Sequence, residues 1–247
     1  MLARLLFWLL ATLPLLSQAG APLLQQSEIE YATTVRGVAI TTVRTIKPEG
    51  DGFTIRQLIT ALMMKTEETS LFRMAGKLPQ PISYSYQRNI LGKALRRTTT
   101  FDRDGRKASY QEENAPPVSV ELKEASYDPL TAHVALQLYL QQHPDSTSLP
   151  TVHLLEKNRV REVGYKLVGR ETIDTPLGAM ETMRVERARS GKEKKTTIWL
   201  ATQWDYAVVR IEHQQPEEPL YRMEITRGTL GSRAITGTTA QRGTDAR

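Results

Sequence analysis

The side chains from which a site would be built are four histidines, 27 acidic residues and 33 basic residues. The histidines, His133, His143, His153 and His213, show no pair four apart on one helix face, the spacing a metal centre would use. The chain has no cysteine, which excludes thiolate metal ligands, a cysteine nucleophile and disulfides. His143-Pro144-Asp145 is the tripeptide that J-domain co-chaperones use, but here it follows a neutral apolar segment in a strand-rich chain and reads as a helix stop. Asp102-Arg103-Asp104-Gly105 opens like a calcium loop, with Glu113 in the twelfth position. Arg106 stands where the fifth position needs an oxygen ligand, so a hairpin turn is the better reading. Gly191-Lys192 lacks the upstream glycine and the following Ser or Thr of a phosphate loop. No serine sits in a strained turn flanked by glycines. Glu67-Glu68 and Glu112-Glu113 point to opposite faces if they lie in strands, and read as solvated charges. No catalytic, cofactor-binding or metal-binding residue is therefore assigned, and no cofactor is expected.

The elements that would carry any site are mostly strands. From Val160 to Arg227 the chain reads as a meander. Tyr221, Met223 and Ile225 alternate with Arg222, Glu224 and Thr226, and Ala207, Val209 and Ile211 alternate with Val208, Arg210 and Glu212. Thr175-Pro-Leu-Gly178 and Ser190-Gly191-Lys192 supply turns. Upstream, Ile82, Tyr84 and Tyr86 alternate with Ser83, Ser85 and Gln87. Pro48-Glu-Gly-Asp-Gly52 and Ala75-Gly-Lys77 break further strands. Phe53 to Leu62 ends ambiguously at Met63-Met64. One helix stands out: Asp128 at its N-cap, Pro129 at its first position, and an end before Pro144. Leu130, Val134 and Leu138 share a face, Ala132, Leu136 and Leu140 adjoin it, and Thr131, His133, Gln137 and Gln141 are polar. A helix apolar over most of its circumference is buried. The expected fold is mainly β: a single curved antiparallel sheet or partly closed β-barrel, wrapped on one long buried helix at about 128–142.

Met1 to Arg4 is a positive leader and Leu5 to Leu16 an apolar run, followed by Ser17-Gln18-Ala19. This is the pattern of a secretory signal, and cleavage is expected after Ala19. The expected organisation is a signal peptide at 1–19, an antiparallel β domain at 20–230 and a disordered tail at 231–247, where Ile235 is the sole large apolar residue. The net charge is +6, interspersed along the chain. It suits weak attraction to anionic lipid head groups, not nucleic acid.

An ordered set of segments resembles a known family. Leu78-Pro-Gln-Pro-Ile-Ser-Tyr84, Gly92-Lys93 and Phe101-Asp102 precede Tyr127-Asp-Pro-Leu-Thr-Ala132. Gly169-Arg-Glu-Thr-Ile-Asp-Thr-Pro-Leu-Gly178, Ile198-Trp-Leu-Ala201 and Val208-Val-Arg-Ile211 follow. Taken together, roughly Glu28 to Thr229 resembles the bacterial exported proteins of the domain of unknown function 3108 family. Val208-Val209 departs from that pattern, standing where a proline is expected. The resemblance implies an exported, mostly antiparallel β protein and supplies no activity.

The expectation is a soluble periplasmic protein, non-catalytic, with a binding or assembly role in the cell envelope and no integral membrane anchor after cleavage. Its partner would be an envelope protein or an apolar ligand. In the carrier alternative, a lipid or other apolar ligand lies between sheet and helix, in a cavity lined by Met183, Trp199, Tyr206, Tyr221 and Met223. The other alternative is an envelope hydrolase with a composite site.

Overall fold

A computed structural model describes residues 24–102, 104, 106–188 and 195–238. The expected signal at 1–19, the Ser190-Gly191-Lys192 turn, half of the Asp102–Gly105 turn and residues 239–247 lie outside the described residues.

Eight strands run before the helix: β1 (Ser27–Val35), β2 (Val38–Glu49), β3 (Gly52–Ala61), β4 (Met64–Ala75), β5 (Leu78–Ile90), β6 (Lys93–Phe101), β7 (Lys107–Glu112) and β8 (Val118–Glu121). The short β9 (Ser126–Tyr127) leads into α1 (Pro129–Gln142). After it come β10 (Val152–Glu156), β11 (Arg159–Thr175), β12 (Gly178–Ala188), β13 (Lys195–Ala201), β14 (Ala207–Gln214), β15 (Tyr221–Leu230) and β16 (Arg233–Ala234). They form one sheet in the order β8-β7-β6-β5-β4-β3-β2-β1-β15-β14-β13-β12-β11-β10-β9, with β16 beside β15. Two meanders are thus joined where β1 pairs antiparallel with β15. Neighbours are antiparallel except β9 and β10.

The sheet curls until its two edges meet, and they meet through side chains. Four residues link β8 to β9. Phe101 and Ala108 from one edge pack with Leu155 from the other, and Val120, Leu122 and Val160 join them. The structure is a large open curved sheet, barrel-like, closed by apolar contact and not by a ladder.

α1 fills one end of the curl. Asp128 caps it by accepting from the N–H groups of Leu130 and Thr131, and Thr131 returns a bond to the N-cap backbone. His143 is the C-cap. The helix is buried on three sides. Leu130, Val134 and Leu138 pack on Ile46, Ile55 and Phe72. Ala132 and Ala135 pack on Val152, Leu154 and Val163. Leu136 and Leu140 join the largest cluster, with Met183, Val185, Ile198 and Ile225.

Of the expected tail at 231–247, residues 231–238 are described, and they are ordered onto the sheet: β16 pairs antiparallel with β15, Ile235 is 2% exposed, and Thr238 bridges to Ala179. The segment reaches across the helix end of the curl from β15 to β12, where the Trp204 indole donates to the Thr236 carbonyl at 2.9 Å. A single isoleucine suffices because its backbone finds partners and glycine allows close contact. A Cβ on Gly237 would lie 2.5 Å from the Gly178 carbonyl carbon.

Candidate functional site

The helix is shorter than the interior. At its start Asp128 is bonded to Ser70, midway along β4, and at its end Gln142 donates to the Lys77 carbonyl. Seven strand residues span about 23 Å and the helix spans about 21 Å, so one matches the other. The half of β4 before Ser70 has no helix over it.

Different side chains fill that half. Register places Arg44, Gln57, Glu68, Tyr86, Arg97 and Glu112 in one row across β2 to β7. They share the helix-facing side with Ile46, Ile55 and Phe72, because residues two apart in a strand share a face. On the other wall Tyr165, Arg187, Thr196, His213 and Tyr221 form a row across β11 to β15. The interior is therefore apolar around the helix and polar beyond its N-terminus.

Hydrogen bonds tie the polar half together. Arg44 donates to the Gln57 Oε1 from Nε at 3.0 Å and from Nη2 at 2.5 Å. The Tyr84 hydroxyl donates to Glu68 Oε2 at 2.7 Å. Arg97 Nε and the Tyr110 hydroxyl both donate to Glu112 Oε2, each at 2.8 Å. Burial pushes Glu68 above the usual carboxylate range, while Tyr84 and the Arg44 charge pull it back. Burial also raises Asp128, against its bonds from Ser70, Thr131 and Leu130. His133 is driven down to about 3, by burial first and then by the positive charges of Arg44, Arg187 and His213. His133 thus faces both walls of the polar half.

Perturbed groups in one place are what a hydrolase would show, but the access and the proton bookkeeping are wrong. Ser70 is 0% exposed and Asp128 is 1% exposed. The Ser70 hydroxyl hydrogen is committed to Asp128, and the Tyr84 hydrogen to Glu68. Among the described residues no group of three His, Asp or Glu could hold a metal ion. Two buried nitrogens in this half lack a hydrogen-bond partner, His133 Nδ1 and Arg187 Nε.

Several expected positions need relocation. Glu67 and Glu68 do point to opposite faces, but only Glu67 is a surface charge, paired with Arg56 at 2.7 Å. Glu68 is interior. Met183, Tyr206 and Met223 are packed core, 3%, 6% and 6% exposed. Trp199 lies on the convex face. Arg184 and Arg210 cover its ring at 5.7 and 5.6 Å, and its indole donates to Glu171 at 2.5 Å. Tyr221 lines a hollow beside His213 and Leu220 at the turn end. An apolar hollow does lie between α1 and the β9–β11 edge, lined by Ala132, Ala135, Tyr139, Val152 and Tyr165. Its 70 Å³ is under the roughly 150 Å³ that admits a benzene ring, so a lipid chain does not fit.

A family model described as protein of unknown function (DUF3108) matches residues 26–226. No curated protein matches the chain. Among solved structures it is similar to the crystal structure of a β-barrel-like protein of domain of unknown function DUF1849 from Brucella abortus. The TM-score is 0.57 at 11% identity, over 84% of this chain and 98% of that one. At that identity the likeness concerns the fold alone.

Proposed function

We propose that this chain, which belongs to the DUF3108 family, is a non-catalytic binding module exported to the cell envelope, and that the polar half of its interior is the binding surface. One observation carries the reading: Arg187 Nε and, on the first turns of α1, His133 Nδ1 are buried without a hydrogen-bond partner, while Arg187 Nη2 pairs with Glu156 at 3.6 Å. Each such group costs about 1–3 kcal/mol, and folded proteins keep few of them. A ligand presenting an oxygen acceptor to Arg187, with Arg44 nearby, recovers that cost. Export rests on the leader before Ala19. An apolar cargo is disfavoured by the size of the hollow beside α1.

The test is native mass spectrometry of the chain purified from the periplasm of its host. The expected result is a bound small molecule in the wild type that is absent from Arg187→Met, with the N-terminus at Gly20. A wild-type chain that carries nothing, from envelope or from cytoplasm, ends this reading.

A further inference from the structure

The two ends of the curl differ in what their turns expose. At the end away from the helix, three hairpins adjacent in the sheet, β1–β2, β3–β4 and β5–β6, project large apolar side chains into water. Leu62 and Met63 form one turn and are 91% and 64% exposed. Leu91 is 66% exposed on the next hairpin, and Val38 is 44% exposed on the third. The tips stand about 10 Å apart, twice the strand spacing. Leu91 holds φ at 51°, a left-handed conformation that disfavours a bulky side chain. Asparagine or glycine would occupy that position without strain.

Charge accompanies these tips. Residues 35–38, 61–65 and 88–96 contain Arg36, Lys65, Arg88, Lys93 and Arg96 and no acid. Lys65, Arg88 and Arg96 share a surface hollow of about 130 Å³ next to the Leu91 turn. Its one carboxylate, Glu67, is bonded to Arg56. The acids at this end lie to one side, Glu217 and Glu218 in the β14–β15 turn, where Glu218 shares a hollow with Arg36; at the opposite end the β2–β3 turn carries Glu49 and Asp51, and Asp102 and Asp104 follow β6.

We propose that this end is a membrane-docking rim: the Leu62-Met63 and Leu91 tips insert among the acyl chains of an anionic bilayer, while Arg36, Lys65, Arg88 and Lys93 meet its phosphates. Separated tips suit a fluid phase that closes around each one, whereas a protein partner favours a continuous apolar patch. The cations supply the attraction to anionic head groups, which falls off within a Debye length. The inference stands apart from the interior binding site and does not need it.

Co-sedimentation of the chain with vesicles tests it. Vesicles of phosphatidylcholine with phosphatidylglycerol should carry the chain down at low salt, and phosphatidylcholine alone should not. Leu62→Ser with Met63→Ser, and separately Leu91→Asn, should each weaken binding roughly tenfold or more, the scale of one large apolar side chain lost from a bilayer. Leu91→Asn suits the backbone at that turn, so its thermal melt should match the wild type and keep the comparison valid if the double variant misfolds. Three results overturn the proposal: equal sedimentation with both vesicle types, no sedimentation with either, or tip variants that bind like the wild type. A dimer without lipid that the same substitutions abolish would assign the rim to a second copy and overturn it too.

Discussion

The Ser70 hydroxyl donates a 2.7 Å hydrogen bond to the carboxylate of Asp128, 58 residues further on, and both side chains are buried. The same carboxylate accepts from the Leu130 and Thr131 backbones at 2.8 and 3.0 Å. One group thus starts the helix and pins its start to the middle of β4. That height sets where the apolar half of the interior ends and the polar half begins.

Asp128→Ala is expected to cost about 2–4 kcal/mol, since it removes a cap and leaves Ser70 and two N–H groups unsatisfied. Ser70→Ala should cost about 1–2 kcal/mol and couple with Asp128→Ala in a double-mutant cycle. Urea melts measure both. Additive costs would show that the two side chains do not act together.

Acid should find His133. Its folded pKa is lowered to about 3 from an ordinary 6.5, so the unfolded chain binds the extra proton first. The stability that neutral His133 provides is complete above pH 6.5 and is lost as pH falls toward 3. The slope from this group reaches at most about 1.4 kcal/mol per pH unit. Glu68 and Asp128 act in the opposite sense. Their folded pKa values are raised, so their contribution is complete below the ordinary carboxylate range and is lost as pH rises through the folded values. His133→Asn should flatten the loss between pH 6.5 and 3 in stability measurements, and an unchanged profile would sink the assignment.

Helix positions should separate sharply. Leu136→Asp puts a charge into a packed site and should cost several kcal/mol. Gln137 lies on the polar stripe and donates to the Asp205 carbonyl, which Gln141 also reaches. Gln137→Ala should therefore cost about 1 kcal/mol or less, because one donor remains. Similar urea midpoints for the two variants would contradict the burial of α1.

Truncation places the end of the fold. Removing residues 239–247 is the control against which the longer deletion is read. Removing 231–247 exposes Ile29, Gly228 and Trp204 and should lower it by several degrees. Gly237→Val should mimic the longer deletion by forcing the segment off Gly178. Identical melts for all three would return this segment to a loose tail.

Much of the fold was legible in the residues. Alternation marked the strands because a sheet with one buried face needs a period of two, and Asp128-Pro129 marked the helix because caps are local chemistry. The β3–β4 hairpin was obscure at Met63-Met64, since its turn is Leu62-Met63 and neither is a turn former. Residues 231–238 carry little hydrophobicity and so give no sequence signal, whereas backbone pairing and the close approach of Gly178 and Gly237 hold them.

The site was scarcely legible. Arg44, Glu68, Ser70, Asp128, His133 and Arg187 are scattered over 144 positions from Arg44 to Arg187, and no local spacing links them. Period two told that Glu67 and Glu68 face opposite ways, but not which way is in. Residue types along the chain determined strands, turns, the helix and its cap, because those depend on neighbours within a few residues. The tertiary structure alone decided how far the helix reaches into the curl, because that depends on apolar packing against distant strands together with the Ser70–Asp128 hydrogen bond. With that height set, the same alternating pattern buries Ile46, Ile55 and Phe72 beside the helix and leaves Arg44, Gln57 and Glu68 beyond its N-terminus.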